Sequence, residues 1–298
     1  MGLVECVPNF SEGRRPEVLE PILDAIRSVA GVRVIDRSSD ASHNRSVVTF
    51  VGEGKAAAEA AFRAISKAAQ SIDLTKHEGE HPRIGATDVV PFIPLEGSTM
   101  DECVALAHAL GARVGRELSI PVYFYESAAR TPARRNLPDV RNIGFEKLGD
   151  AVANDPTRVP DEGPKNALHP TAGATVIGAR QILIAYNINL ASEDLALAKA
   201  IAKKIREKDG GLKGIKAMGF AIDAPKCAQV SMNVCDYRST GLERVYTEVE
   251  KLAGEAGVKI LESELVGLAP KAALPEGLPR RIQLRGFDPK TQIIEALL

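Results

Sequence analysis

The hydrophobic residues of this chain recur alternately every two and every three to four positions, and that alternation limits the possible folds more than any other feature. In the first half, five short apolar runs predict strands at residues 3–8, 32–36, 46–51, 87–95 and 121–126. Amphipathic or alanine-rich stretches between them predict helices that begin at Pro16, after Gly52 and at Asp101. The polar stretch 37–44 is predicted to be a loop.

The second half repeats this order of elements. Its strands are predicted at 181–190, 215–223, 228–236 and 258–265, and its helices after Asp194 and at 241–256. The order β-α-β-β-α-β is typical of the ferredoxin-like fold, and 298 residues exceed the usual length of one domain. We predict an α+β protein with two tandem ferredoxin-like (βαββαβ) subdomains, at residues 1–178 and 179–298.

The segment 130–178 between the repeats shows little periodicity and is rich in Pro, Arg, Asp and Gly. An unstructured stretch of this length is usually functional or disordered. Its Gly163-Pro164 and Gly173-Ala174 pairs favour an ordered loop around a ligand, with disorder as the alternative. Four of its arginines form a basic run that either attracts anions or lies in solvent: Arg130, Arg134, Arg135 and Arg141.

The composition excludes several classes of protein. The formal net charge of -1 argues against a nucleic-acid partner, which normally requires a basic domain. The sequence shows neither a secretory signal nor an apolar run of the ~20 residues that a membrane span needs, so no membrane partner is expected. Its four cysteines form no C-x-x-C pair, which favours free thiols in a reducing compartment. We expect a soluble, cytoplasmic protein.

The densest group of titratable residues is KHEGEHPR, at residues 76–83. Residues 77–81 match the H-E-x-x-H zinc signature, which requires a helix that places both histidines on one face. Gly79 interrupts such a helix, and the residue before Pro82 is pushed out of the helical region. We therefore predict no metal and a loop whose histidines transfer protons near neutral pH. Arg83 would hold a substrate carboxylate, although solvated loop charges are the alternative.

A second polar group spans residues 36–45, at the end of a predicted strand. Loops at strand ends are where ligand-binding groups collect. Arg45 suits an anionic substrate, and Asp36 or Asp40 could accept a proton or polarise an amine. Further substrate contacts are predicted here and in the turn after the first strand, at Asn9, Ser11, His43 and Asn44. Turn formation or helix capping is the alternative role for Asn44 and Ser11.

Six stretches of this sequence, in the same order along the chain, resemble the glutamate formiminotransferase (formimidoyltransferase) family. They are LVECVPNFSEG (3–13), HNRSVVTFVG (43–52), HEGEHPRIGATDVVPFIPL (77–95), PVYFYESAAR (121–130), GATVIGARQILIAYNINL (173–190) and LVGLAP (265–270). Several long matches in one order are far more specific than a single motif. The resemblance runs nearly from end to end of the chain.

The resemblance implies transfer of the formimino group from N-formimino-L-glutamate to N5 of tetrahydrofolate, the co-substrate, in histidine degradation. It also implies a homodimer whose subdomains enclose a substrate cleft. The family's catalytic histidine lies in an E-H-P-R element, so the general acid/base role falls on His81. The family's folate loop corresponds to roughly 163–173, with contacts predicted at Gly163, Pro164, Gly173 and Ala174. Because the chain ends at Leu298, the cyclodeaminase domain of bifunctional members is expected to be absent.

Two other functions compete with this interpretation. The same site could instead move a formyl group between 5-formyltetrahydrofolate and glutamate. A ferredoxin-like RNA-binding module has the same element order, but the net charge of -1 and the absence of an aromatic-rich RNP strand disfavour it.

Overall fold

The computed structural model describes residues 2–80 and 82–298. The chain divides into two compact units, one that ends at Arg180 and one that spans Gln181–Leu298. Each unit combines helices with its own β-sheet. In the described part of the chain, no helix is long and apolar enough to cross a membrane.

The first unit is built on one mixed sheet. Its strands within the described residues are β1 (Leu3–Cys6), β2 (Asn9–Phe10), β3 (Arg33–Asp40), β4 (Arg45–Glu53), β5 (Thr87–Pro94), β6 (Val122–Glu126) and β7 (Thr175–Ala179). β1 and β2 lie one after the other in line and together occupy one position in the sheet, between β4 and β5. β3 lies at the sheet edge, beyond β4. Beyond β5 come β7 and then β6. The predicted boundary at residue 178 therefore falls inside β7, which belongs to the first unit.

Strand direction brings several loops together. β4 and β5 both run antiparallel to β2, and β5, β7 and β6 run parallel to one another. Four strands, β4, β5, β7 and β6, therefore begin at the same end of the sheet. The polar segments that precede these strands lie side by side there, and we call this end the loop end.

Three helices cover one face of this sheet: α1 (Pro16–Arg27), α2 (Gly54–Ser71) and α3 (Met100–Glu117). The alanines of α2 are buried at helical spacing, and their small side chains allow close packing on the sheet. Thr99 caps α3 in a capping box with Glu102. Strand residues Phe10, Val48 and Phe50 complete the core on this face.

The segment 130–174 covers part of the opposite face, and the prediction of a loop without periodic structure was wrong. It contains α4 (Leu137–Arg141), α5 (Phe145–Asn154) and two 3-10 turns, and β7 follows it directly. Side chains from α4 and α5 form a buried cluster with β5, β6 and β7. α4 spans only five residues, too few to show a period, whereas the buried Leu148 and Val152 of α5 recur at helical spacing, a pattern that the prediction missed. β7 is buried on both faces, so its sequence lacks the alternation of a half-buried strand.

The strand β3 is longer than predicted. Residues 37–40, expected in a loop, continue the ladder with β4 up to the pair Asp40–Arg45. Their polar side chains are tolerated because β3 is an edge strand and much of it faces solvent. Both Asp36 and Asp40 therefore lie on a strand.

The second unit contains a four-stranded antiparallel sheet within Gln181–Leu298. Its strands, in the order β11-β8-β10-β9, are β8 (Ile184–Leu190), β9 (Ile215–Asp223), β10 (Lys226–Val234) and β11 (Ile260–Val266). Its helices are α6 (Leu195–Ile205), α7 (Leu242–Glu255), α8 (Leu278–Arg281), α9 (Pro289–Gln292) and α10 (Ile294–Leu297). α6 and α7 pack on one sheet face. The other face carries a hydrogen-bonded ladder in which Glu264 accepts from Asn187 and Gln229.

Candidate active site

Asn44 joins three loops at the loop end of the first unit. It sits in the turn between β3 and β4 with a φ of +48°, a left-handed conformation that asparagine tolerates better than most residues. Its side-chain Oδ1 accepts from the Gly13 N–H at 2.9 Å, and its Nδ2 donates to the Glu78 carbonyl at 2.9 Å. We call the loops joined here, residues 11–13, 41–44 and 77–80, the three-loop junction.

The histidine-rich loop is an extended segment and contains no helix in its described part. The backbone at His77 has φ -87° and ψ 128°, and the Glu80 N–H donates to the Ser42 carbonyl at 3.3 Å. Gly79 packs against the turn so tightly that a Cβ there would lie 2.4 Å from the His43 carbonyl oxygen. The helix that an H-E-x-x-H zinc site needs is therefore not formed at His77.

His77 is held as a neutral imidazole. Its Nε2 lies 2.9 Å from the Asn44 carbonyl oxygen, which can only accept, so Nε2 carries the proton. Its Nδ1 is buried and has no hydrogen-bond partner among the described residues. Burial lowers the pKa of His77, because desolvation disfavours the imidazolium. His81, the predicted acid/base residue, lies outside the described residues.

Asp40 and His43 form a pair within the β3–β4 turn. Asp40 Oδ2 lies 2.7 Å from His43 Nδ1, and Asp40 Oδ1 accepts from the His43 backbone N–H at 3.0 Å. The backbone N–H of His43 and then its ring lower the pKa of Asp40. Asp40 is thus an ionised carboxylate that orients a ring, and its suggested role as a proton acceptor becomes less suitable.

Asp36 lies apart from this group. Four residues along β3 separate it from Asp40, a distance of roughly 13 Å in an extended strand. Asp36 is half-buried, and burial raises its pKa. The structure does not bring the two predicted catalytic carboxylates together, and a catalytic role for either stays a prediction.

Arg45, at the start of β4, is half-buried and carries a charge without a bonded anion among the described residues. Its Nε is buried without a hydrogen-bond partner, and no described carboxylate lies within ion-pair distance of its guanidinium. Burial and then the charge of Arg141 lower its pKa, while Asp40 and Asp88 partly compensate. A desolvated cation with no bonded anion is costly, so the position favours an anionic ligand.

Arg141 and Asp88 belong to the same region, and neither was predicted there. Arg141 reaches back from α4, and its Nη1 lies 2.7 Å from Asp88 Oδ2. Asp88 is almost fully buried, and its Oδ1 accepts from the Ile84 N–H at 2.8 Å. The sequence showed Arg141 only as part of a basic run, because its Asp partner lies 53 positions away.

Arg83 follows the histidine loop and has a structural role that its sequence position did not indicate. One terminal nitrogen donates to the His77 carbonyl and to Glu146 Oε1, each at 2.8 Å. Its backbone carbonyl accepts from the Phe145 N–H at the start of α5. Its Nε is buried and unpartnered within the described part of the chain. Arg83 thus ties the loop to α5 and still offers one donor to a substrate.

Two of the predicted substrate contacts, one in β2 and one just after it, already donate hydrogen bonds within the protein. Ser11 is buried, and its hydroxyl donates to the Gly85 carbonyl at 2.8 Å. The side-chain amide of Asn9 donates to the Val7 carbonyl at 3.2 Å, and Asn9 is only half-buried. Ser11 therefore supports the loop before β5, whereas Asn9 still offers its side-chain carbonyl oxygen to a substrate.

The predicted folate loop begins and ends at the loop end of the sheet. Gly163 lies beside the start of β6, packed against Gly115 of α3, and the neighbouring Pro164 is half-buried. The sheet order separates β6 from β4 by four strand spacings, roughly 19 Å. Gly173 has a φ of +69° and is buried. Ala174 is a fully buried core residue whose backbone N–H donates a hydrogen bond to the Ile84 carbonyl. Direct substrate contacts at these four positions stay predictions.

The geometry defines a class of protein: an α/β protein of two units whose first unit gathers arginines and histidines at one end of a sheet, where Arg45 pairs with no described carboxylate. Guanidinium groups suit carboxylate ligands, and imidazoles suit proton transfer. The chain belongs to the formiminotransferase family, because residues 3–180 match the model of the formiminotransferase domain, N-terminal subdomain, and residues 185–278 match that of the formiminotransferase domain.

Three curated relatives span nearly the whole chain. A glutamate formimidoyltransferase of Thermoplasma acidophilum is 48% identical over 97% of this chain and 95% of its own length. One of Streptococcus pyogenes serotype M1 is 43% identical over 98% of this chain and 97% of its own. The formimidoyltransferase-cyclodeaminase of Rattus norvegicus is 41% identical over 99% of this chain and 60% of its own.

Proposed function

We propose that this chain is a glutamate formimidoyltransferase, which moves the formimino group from N-formimino-L-glutamate to N5 of tetrahydrofolate. The observation that carries the proposal is the match to two enzymes with that name over at least 95% of each enzyme. The site supports it independently. Both substrates carry carboxylates, and the guanidinium of Arg45, which pairs with no described carboxylate, lies at the loop end of the first unit.

The transfer requires the movement of two protons. A bond forms between N5 and the formimino carbon, and the bond from that carbon to the glutamate nitrogen breaks. A proton must leave N5, and a proton must reach the glutamate nitrogen so that it departs as an amine. We assign both movements to the imidazole of His81, whose neighbours in sequence belong to a loop fixed at Asn44 and Arg83. A positioned acid/base is worth about 10²–10⁴-fold in rate.

His77 and His43 support this loop in the proposed site. The Nε2–H of His77 is committed to the Asn44 carbonyl, which fixes the tautomer and leaves Nδ1 as an acceptor. His43 is oriented by Asp40 on the facing turn. The proposed substrate contacts are Arg45, Arg83, Asn9 and His43, together with the loop from Gly163 to Gly173 for the folate. Asn44 serves the substrate indirectly, because it holds the three-loop junction.

Three finer points belong to the same proposal. Each unit would be ferredoxin-like, because the four strands of its βαββαβ pattern lie side by side in the same order in both sheets. Across the sheet, that order is fourth, first, third, second. The protein would act as a homodimer in the cytoplasm, within histidine degradation and one-carbon metabolism. Tetrahydrofolate would serve as co-substrate, with no metal ion in the reaction.

The donor assay tests this function. Purified protein is mixed with tetrahydrofolate and N-formimino-L-glutamate, and separately 5-formyltetrahydrofolate is mixed with L-glutamate. The proposal expects rapid formation of 5-formiminotetrahydrofolate in the first mixture and a much slower reaction in the second. A protein that turns over only the second mixture is a formyltransferase, and one inactive in both lacks the proposed activity. Tight, salt-sensitive RNA binding without folate binding would instead support the RNA-binding module.

A further inference from the structure

Two guanidinium groups, those of Arg45 and Arg141, lie over the same face of the first sheet. Side chains alternate along β4, and Val48 and Phe50 face the helices α1–α3, so Arg45 at the start of the strand points to the opposite face. Arg141 comes from α4, whose Val140 belongs to the cluster on that opposite face. The two arginines therefore approach one region from the sheet and from the segment above it.

The register of the sheet limits their separation. Phe10 in β2 pairs with Ser46 on one side and with Thr87 on the other. Arg45 and Asp88 adjoin those two residues on opposite sides, so their Cα atoms are two strand spacings apart with an offset of about two positions along the parallel strands, roughly 12 Å. Asp88 pairs with Arg141 at 2.7 Å, so the Arg141 guanidinium lies beside β5, two strand positions from β4. The charge of Arg141 also acts on Arg45, since it contributes to the lowered pKa of Arg45.

The charges in this region balance in number, two cations against two carboxylates, but Arg45 has no bonded partner among them. The groups that act on Arg45 are the cation Arg141 and the carboxylates Asp40 and Asp88. Asp40 is engaged by His43, and Asp88 is engaged by Arg141 and the Ile84 N–H. Arg45 is left without a bonded anion, and the Nε atoms of Arg45 and Arg141 are both buried without partners among the described residues. A buried, uncompensated charge is strongly unfavourable unless a ligand neutralises it.

A fully satisfied arginine of the same segment shows the contrast. Arg134 is buried to a similar degree, at 14% side-chain exposure against 15% for Arg141, and pairs with Asp161 at 2.8 Å. It also donates to the carbonyls of Thr157 and Val159. Arg134 therefore serves packing, whereas Arg141 retains an unused Nε donor beside Arg45, which pairs with no described carboxylate.

We propose that Arg45 and Arg141 together form a carboxylate subsite for the amino-acid substrate, and that Asp88 positions Arg141 in it. The choice of the amino acid rests on the proposed function. The carboxylates of N-formiminoglutamate lie only a few bonds from the reacting carbon, whereas the folate glutamate is separated from N5 by the aminobenzoyl group. Residues 84–86 alone separate Arg83 from β5, which carries Asp88, so the subsite adjoins the E-H-P-R element along the chain.

The test uses the full chain with Arg45→Lys, Arg141→Lys and the matched control Arg134→Lys. Lysine keeps the charge and removes the planar fork that binds a carboxylate. We expect Arg45→Lys and Arg141→Lys to raise the Kd for L-glutamate, measured by calorimetry, and the KM for N-formiminoglutamate by about 10- to 100-fold. The KM for tetrahydrofolate should stay within about 3-fold, and Arg134→Lys should change none of these constants by more than about 2-fold.

Asp88→Asn tests the positioning role, because asparagine still accepts from the Ile84 N–H but no longer pairs with Arg141. The expected result is a higher KM for N-formiminoglutamate at an unchanged KM for tetrahydrofolate. If Asp88 were merely structural, Asp88→Asn would change the KM values of both substrates, or it would lower the unfolding temperature without raising one KM more than the other. An equal fold-change in the KM values of the two substrates in Asp88→Asn would reject the positioning role.

Folate and pteroate distinguish the two sources of carboxylate. If Arg141→Lys weakens folate relative to pteroate, which lacks the glutamate, the subsite holds the folate tail and the assignment to the amino acid is wrong. Unchanged L-glutamate binding in both lysine variants would reject the subsite while formimino transfer by the unmodified chain stands. An unmodified chain that binds L-glutamate through these arginines but transfers no formimino group would reject the proposed function alone.

Discussion

Replacement of Asn44 tests how the three-loop junction is held. Asn44→Ala removes two hydrogen bonds and leaves the Gly13 N–H and the Glu78 carbonyl without their partner. Each lost bond costs about 1 kcal/mol. Alanine at a φ of +48° costs about 1 kcal/mol more, because its Cβ crowds the backbone in the left-handed region. The sum is a loss of about 2–4 kcal/mol in the free energy of unfolding.

A series at this position separates the contributions. Asn44→Gly loses the same hydrogen bonds but removes the backbone strain, so it should be about 0.5–1 kcal/mol more stable than Asn44→Ala. Asn44→Asp keeps the acceptor for the Gly13 N–H but loses the donor to Glu78. Urea denaturation followed by far-ultraviolet circular dichroism measures all three variants. An alanine variant within about 0.5 kcal/mol of the unmodified chain, or a glycine variant less stable than alanine, would contradict the reasoning.

Two further predictions concern stability. Burial lowers the pKa of His77 and of His169, so below the unfolded-state pKa of about 6.5 the unfolded chain binds more protons than the folded one. The urea midpoint should therefore be constant above pH 7 and fall between pH 6.5 and 5, and a His77→Asn/His169→Asn double variant should show a smaller fall. Arg83→Gln should cost about 1–2 kcal/mol through the lost bond to the His77 carbonyl. Glu146→Gln, which changes an exposed partner, should cost less than about 1 kcal/mol; equal losses would assign the effect to the surface pair.

Local sequence patterns predicted those parts of the fold that local spacing determines. The amphipathic helix from Pro16, the capped helix α3 and the hairpin β9–β10 all appear close to their predicted positions. The failures have physical causes. β7 gives no alternating pattern because both its faces are buried, and β3 continues through a polar sequence because it lies at an edge.

The site was predictable in its residue types but not in its contacts. The turn after the first strand and the loop near His81 were predicted to supply substrate contacts, yet Ser11 and Arg83 are partly used to hold loops together. Arg141 and Asp88 are separated by more than fifty residues, so only the tertiary structure shows that they form a pair. Sequence spacing cannot report which donor is left over after folding, and that property distinguishes Arg45 from Arg134.

The rate of formimino transfer by the His81→Asn protein tests the central claim most directly. If His81 is the acid/base residue, kcat should fall by roughly two to four orders of magnitude, with the unfolding temperature unchanged. Under the same account Glu78→Gln should cost little, and prolonged chelation should leave the rate of the unmodified chain as it was. A chelation-sensitive enzyme that also needs Glu78, or a His81→Asn protein that retains full kcat, would contradict the account.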